Sequence, residues 1–170
     1  GEYGAARMEF EDALSEAQDS GLYLACIDAH LGLGRGLQRL GQYHQALDAL
    51  DCALTLVEGV GDNFRENQIR GTIGRVFQDL GEYSKALSMY NKVVQQSKQV
   101  GDKQNMGVYI GMVGQIQIIQ GEYEQAIEHL FQSITILNEV GDRFHIASVK
   151  NALGAAYKDL NQYELSIQFI

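Results

Sequence analysis

The side chains able to do metal or nucleophile chemistry are few in this sequence. Histidines stand at His30, His44, His129 and His145, and cysteines at Cys26 and Cys52. A transition-metal site needs three or four converging His, Cys or carboxylate ligands. No two of the histidines have the spacing of one helical turn. Cys26 and His30 do have it, but two ligands on one turn do not close a coordination sphere. The two cysteines are too few for a disulfide framework and lack CxxC spacing, so they read as small buried hydrophobes of a reducing compartment. Gly32-Leu33-Gly34-Arg35-Gly36 imitates a phosphate loop, but such a loop works only between a strand and a helix start, and this one lies mid-helix. Gly107, Gly111 and Gly114 imitate a membrane-helix dimer face, yet Gln104, Gln115, Gln117 and Gln120 make that segment too polar for lipid. No nucleophile elbow or metalloprotease signature is present. The expectation is therefore no catalytic residue, no metal and no cofactor: a protein that is not an enzyme.

The elements that carry these residues are helices in a strict repeat. The chain has 170 residues, 45% of them apolar and 21% charged, enough for one folded domain with a sizeable core. Proline is absent and glycine numbers 19, so glycine does the punctuation. Gly41-Gln42-Tyr43 recurs as Gly81-Glu82-Tyr83 and again as Gly121-Glu122-Tyr123, with Gly1-Glu2-Tyr3 and Asn161-Gln162-Tyr163 at the ends. Gly61-Asp62, Gly101-Asp102 and Gly141-Asp142 keep the same spacing, as do Gly34, Gly74, Gly114 and Gly154. Such a fixed period is the mark of a stacked repeat architecture.

Within a period the apolar steps are three and four. Ala86, Leu87, Tyr90, Val93 and Val94 form one stripe, and Ile73, Gly74, Phe77 and Leu80 form another. Each period thus predicts two helices of about 17 residues joined by short turns. Gly41, Gly81 and Gly121, with Asn161 in the fourth copy, are placed to end one helix in a left-handed residue; Gly61, Gly101 and Gly141 end the other. The aspartates that follow are N-cap candidates. Gly34, Gly74, Gly114 and Gly154 fall inside helices, where each costs about 1 kcal/mol against alanine. Close approach of the paired helix, near Ala46, Ala86, Ala126 and Ser166, is the expected gain.

Ile73-Gly74 … Phe77 … Leu80-Gly81-Glu82-Tyr83 … Ala86 … Tyr90 … Val93 resembles the tetratricopeptide repeat, and the pattern recurs from Leu33, Val113 and Leu153. The resemblance covers essentially the whole chain. The period of 40 instead of 34, with Gly-Asp joints, is similar to the variant in spindle-orientation adaptors of the G-protein-signalling-modulator type. Related long repeats occur in receptor-clustering scaffolds, kinesin light chains and bacterial peptide-sensing regulators. What the family implies is an all-α, right-handed superhelical solenoid of antiparallel helix pairs. On this reading residues 1–20 are the second helix of a truncated repeat, 21–60, 61–100 and 101–140 are full repeats, and 141–170 is a partial one. Gln117 and Gln120 replace apolar residues of the pattern, which leads us to expect a rotated packing face in that helix.

The family also implies that first helices line a concave groove for peptides or partner helices. The groove places fall on Asp28, Leu31, Arg35, Gln38 and Arg39; on Gln68, Gly71, Arg75, Gln78 and Asp79; on Val108, Gly111, Gln115, Ile118 and Ile119; and on Ser148, Asn151, Ala155, Lys158 and Asp159. Gly71 and Gly111 side by side predict a trough in its floor. The chain has 13 basic and 22 acidic residues, net −9, which disfavours a nucleic-acid partner. The groove set itself, with Arg35, Arg39, Arg75 and Lys158 against Asp28, Asp79 and Asp159, comes to +1. A neutral to mildly acidic protein segment is thus the expected ligand. No apolar run approaches the length of about 18 residues that a membrane span needs. No membrane partner is therefore expected, and the location implied is cytoplasmic. A structural spacer in a larger assembly and a ligand-sensing regulatory arm are the alternatives to an adaptor. The ends show no polar cap, and self-association through them is expected.

Overall fold

A computed structural model describes residues 22–169. The truncated helix expected over residues 1–20 lies outside them. The described residues form eight helices: α1 Leu22–Arg39, α2 Tyr43–Val60, α3 Asn63–Asp79, α4 Tyr83–Val100, α5 Lys103–Gln120, α6 Tyr123–Val140, α7 Arg143–Asp159 and α8 Tyr163–Ile167. The fold is all-α, with short turns between successive helices. The chain divides into two compact units, Gly1–Asp62 and Asn63–Ile170. In the first, α1 pairs antiparallel with α2; in the second, α3 to α8 pack in antiparallel succession, and α5 also touches α7.

The joints follow from glycine at fixed places. Gly41, Gly61, Gly81, Gly101, Gly121 and Gly141 all have φ between 72° and 79°, and Asn161 takes the same turn at 59°. A Cβ is strained in that region, least so for asparagine. The backbone N–H of Gly61 reaches the Val57 carbonyl, and that of Gly101 the Ser97 carbonyl, closing their helices. Asp102 then accepts from the Asn105 amide, and Asp142 from the His145 amide, so each opens the next helix as its N-cap.

Asp142 gives this cap a pH signature. The His145 backbone N–H, then the His145 ring and Gln104 Nε2, hydrogen-bond its carboxylate and hold its pKa below the ordinary value of 3.8. A depressed carboxylate stabilises the fold above its unfolded pKa, and that contribution is lost as pH falls through the folded value. Asp142→Asn keeps a capping oxygen but no charge. Thermal melts of variant and wild type are therefore expected to differ at neutral pH and to converge as the pH falls through the folded pKa, below 3.8.

The internal glycines mark where the next element enters. A Cβ on Gly74 would fall on the Tyr90 ring, and one on Gly34 or Gly114 would meet Leu50 or Leu130 at 2.5 and 2.9 Å. The expected close approach is thus present. The side chain one helical turn past Ala46, Ala86 or Ala126 fills the notch, not the alanine itself. Ser166 Oγ donates to the Gly154 carbonyl at 2.8 Å and Ser133 Oγ to the Gly107 carbonyl at 2.7 Å. Around Tyr90 the core of the α4–α5 step is Ala86, Val113 and Ile116, with Phe77, Tyr83 and Tyr109 packed against it. The next step gathers Leu130, Leu137, Val149 and Leu153.

Candidate functional site

In the first unit α1 carries Arg35 and Gln38 half-buried and Arg39 exposed near its end, while Leu31 is buried. In the second unit the decisive question is which side of α3, α5 and α7 stays open. Residues 108, 112, 115 and 119 advance by four, three and four, so they share one face of α5. Val108, Met112 and Gln115 are half-buried there, and Ile119 is 53% exposed, large for an aliphatic side chain. The same face of α3 holds Gln68, Arg75 and Asp79, and that of α7 holds Ser148, Ala155 and Asp159. These residues form an apolar and amide strip with one guanidinium, Arg75, and two carboxylates, Asp79 and Asp159.

Arg75 acts on the Tyr90 phenol through its charge. Burial pushes that phenol well above its ordinary pKa, against the pull of Arg75, so it stays a neutral donor. Its hydroxyl donates to Gln78 Oε1 at 2.9 Å. Gln78 is therefore engaged with the core instead of standing open in the strip. Arg75 Nε is buried and has no hydrogen-bond partner.

The trough is corrected by the structure. Gly71 and Gly111 are buried. A Cβ on Gly71 would fall on the Tyr109 hydroxyl, and one on Gly111 would stand 2.9 Å from both Ser133 Oγ and Val149 Cγ2. Both glycines are seats for a neighbouring helix, not a floor open to solvent. Tyr109 and Val149 hold equivalent places in successive repeats, which is why the gap closes in both. Asn151 follows Gly111 by one period and Lys158 follows Ile118; both are exposed on α7. Gly111→Gln is consequently expected to cost about 1–3 kcal/mol of stability through overpacking. Chemical denaturation of the second unit measures it.

α5 is not rotated, contrary to expectation. Ile116 is fully buried like Val76 and Ala156 in the same register. Gln117 stays in the packing face and is buried, because polar partners meet it there. His129 Nδ1 lies 2.8 Å from Gln117 Oε1, and Gln117 Nε2 donates to Gln125 Oε1 at 3.2 Å. One repeat earlier the same place holds Phe77, with Lys85 Nζ 5.1 Å from the ring centre. The sequence reading missed Met112 and Tyr109. A helical wheel anchored on Val108 and Ile119 would have found the first. The shared offset of Gly71 to Tyr109 and Gly111 to Val149 would have found the second.

Cys26 is half-buried and Cys52 exposed, so the expectation of two buried cysteines does not hold. Among the described residues no three His, Cys, Asp or Glu side chains group as a metal site, and no helix is long and apolar enough to cross a membrane. The tetratricopeptide repeat family profile matches residues 23–99 and 65–139. No curated protein matches the sequence. Solved structures do. Aspartyl phosphate phosphatase F from Bacillus subtilis aligns over 98% of this chain and 44% of its own, with TM-score 0.81 and 18% identity. BtubC from P. vanneervenii aligns over 98% and 69%, with TM-score 0.76 and 17% identity. A signal-transduction ATPase from Pyrococcus horikoshii with a tetratricopeptide repeat sensor aligns over 98% of this chain but 26% of its own, with TM-score 0.76 and 19% identity. At these identities the likeness is one of fold.

Proposed function

From the premise that this chain belongs to the tetratricopeptide repeat family, we propose that it is a protein-interaction scaffold whose first helices hold an extended peptide or partner helix. The observation that carries this reading is the open strip of α5. Ile119 is exposed there, Gln115 and Val108 are half-buried, Val108 with one side on the Leu130, Leu137, Val149 and Leu153 core, and Arg75 on α3 is half-buried in the same register. Apolar anchors beside a charge-assisted donor are what a segment with one carboxylate and a few aliphatic side chains needs. Gln68 extends the strip on α3, and Asn151 and Lys158 stand exposed on α7; on α1, Arg35, Gln38 and Arg39 offer the same register in the first unit. Gly71 and Gly111 drop out of the contact set.

The partner is a neutral to mildly acidic protein segment, since the groove set, with Arg35, Arg39, Arg75 and Lys158 against Asp28, Asp79 and Asp159, comes to +1 although the chain as a whole is at −9. The long period and Gly-Asp joints favour an adaptor of the spindle-orientation kind over the shorter-repeat chaperone cofactors. We read residues 1–170 as one repeat array located in the cytoplasm. Selection from a random peptide library on the full chain tests the reading. Enriched peptides carrying an acidic residue near aliphatic ones support it; enrichment of polybasic peptides, or of none, overturns it.

A further inference from the structure

The strip is not alike on the three first helices of the second unit. Between Gln104 and Gln120 α5 carries no Asp, Glu, Lys or Arg, whereas α3 carries five such residues and α7 four. The fold does not require an uncharged first helix, as the two neighbours show. On the strip face α5 places Val108, Met112, Gln115 and Ile119. The same places hold Gln68, Thr72, Arg75 and Asp79 on α3, and Ser148, Ala152, Ala155 and Asp159 on α7. Large apolar side chains therefore stand on one helix alone, with charge kept off it as in the core of an interface.

That distribution sets how a ligand lies. An extended segment crossing the three helices meets a large apolar contact only where it passes α5, over one or two of its residues. A ligand lying along α5 meets the apolar face over its whole length. Val108 to Ile119 spans about 16 Å, or three turns. Its steps of four, three and four are those into which a second helix fits its own apolar face. A helix with its side chains is about 10–12 Å across, close to the spacing of packed helices. Laid over α5, it comes within side-chain reach of both α3 and α7.

The charges fix its polarity. In the antiparallel succession α3, α5 and α7 run the same way, so their negative C-terminal ends gather at the Ile119 end of the strip. Asp79 and Asp159 share the register of Ile119 and are exposed, with Lys158 offsetting one of them. The Val108 end has only Gln68 and Ser148 in its register. A helix is positive at its N-terminus, which the Ile119 end attracts. On the reading that the strip is the binding surface, we infer that its occupant is an amphipathic α-helix of a partner protein, laid antiparallel along α5. Its N-terminal turn lies at Ile119, its aliphatic residues at steps of three and four face α5, and an acidic residue about one turn in meets the half-buried Arg75.

A peptide selected on the full chain, from a random library long enough for several helical turns, carries the test. Labelled with 13C and bound to the chain, it is expected to show helical Cα shifts over about three turns. A central proline outside its aliphatic set should weaken binding about a hundredfold, and a lactam bridge from i to i+4 on its polar face should tighten it about tenfold. Extended shifts, or equal affinity of the three peptides, would overturn the helix and leave the strip as the binding surface. A nitroxide on the peptide N-terminus should broaden the amides around Ile119 in the 15N-labelled chain, and one on its C-terminus those around Val108. The reverse pattern would overturn the antiparallel placement. No enrichment from the library, or broadening confined to α4 and α6, would overturn the strip itself and this inference with it.

Discussion

Tyr90→Ala is expected to lower the unfolding free energy of the second unit by about 3–5 kcal/mol. Tyr90 has no solvent exposure, its ring fills the notch over Gly74, and it packs near Tyr109 with ring centres 5.6 Å apart. Truncation to alanine removes the transfer term of the ring and leaves a cavity that the glycine opposite cannot fill. It also leaves Gln78 Oε1 without its donor. Tyr90→Phe separates these effects, since it keeps the ring and loses only the hydroxyl bond, at about 0.5–1.5 kcal/mol. Urea titration followed by circular dichroism reads both. Val100→Ala, at an exposed position, is the control and should stay within about 0.5 kcal/mol of wild type. Equal losses for Tyr90→Ala and Val100→Ala would mean that the α3–α4–α5 core is not built as described.

The second large effect concerns binding. Ile119→Asp combined with Gln115→Ala is expected to weaken a library-selected peptide about a hundredfold. Ile119 is the exposed large aliphatic side chain of the α5 strip, so aspartate there removes an anchor and sets a carboxylate against an acidic ligand. An anchor of this kind contributes about 2 kcal/mol, and loss of an amide contact supplies the remainder. Neither position contributes to the buried core, so the melt should be unchanged. Val100→Asp lies at a helix end away from the strip and should leave affinity as it is. Binding by fluorescence anisotropy checks the three proteins side by side.

How far the sequence carried this account depends on the kind of contact. The period was legible because Gly-Glu-Tyr and Gly-Asp recur without insertion, and a helix end in the left-handed region admits few residues besides glycine and asparagine. The buried stripe was legible because three- and four-residue steps need no knowledge of the partner helix. Gly71 and Gly111 were not legible in this way. A missing side chain looks the same in sequence whether solvent or a neighbour fills the space, and the occupant, Tyr109 or Val149, comes from the next repeat. Gln117 misled for a related reason. A polar residue in an apolar stripe suggests a rotated helix until Gln125 and His129 of the following helix are seen to satisfy it.

The central claim is that the open face of the first helices holds the partner. Hydrogen–deuterium exchange of the full chain, with and without a saturating library-selected peptide, tests it most directly. Added protection is expected on α3 around Arg75 and along α5 from Val108 to Ile119, with α4 and α6 unchanged. Protection falling on α4 and α6, with α5 exchanging as in the free chain, would contradict it.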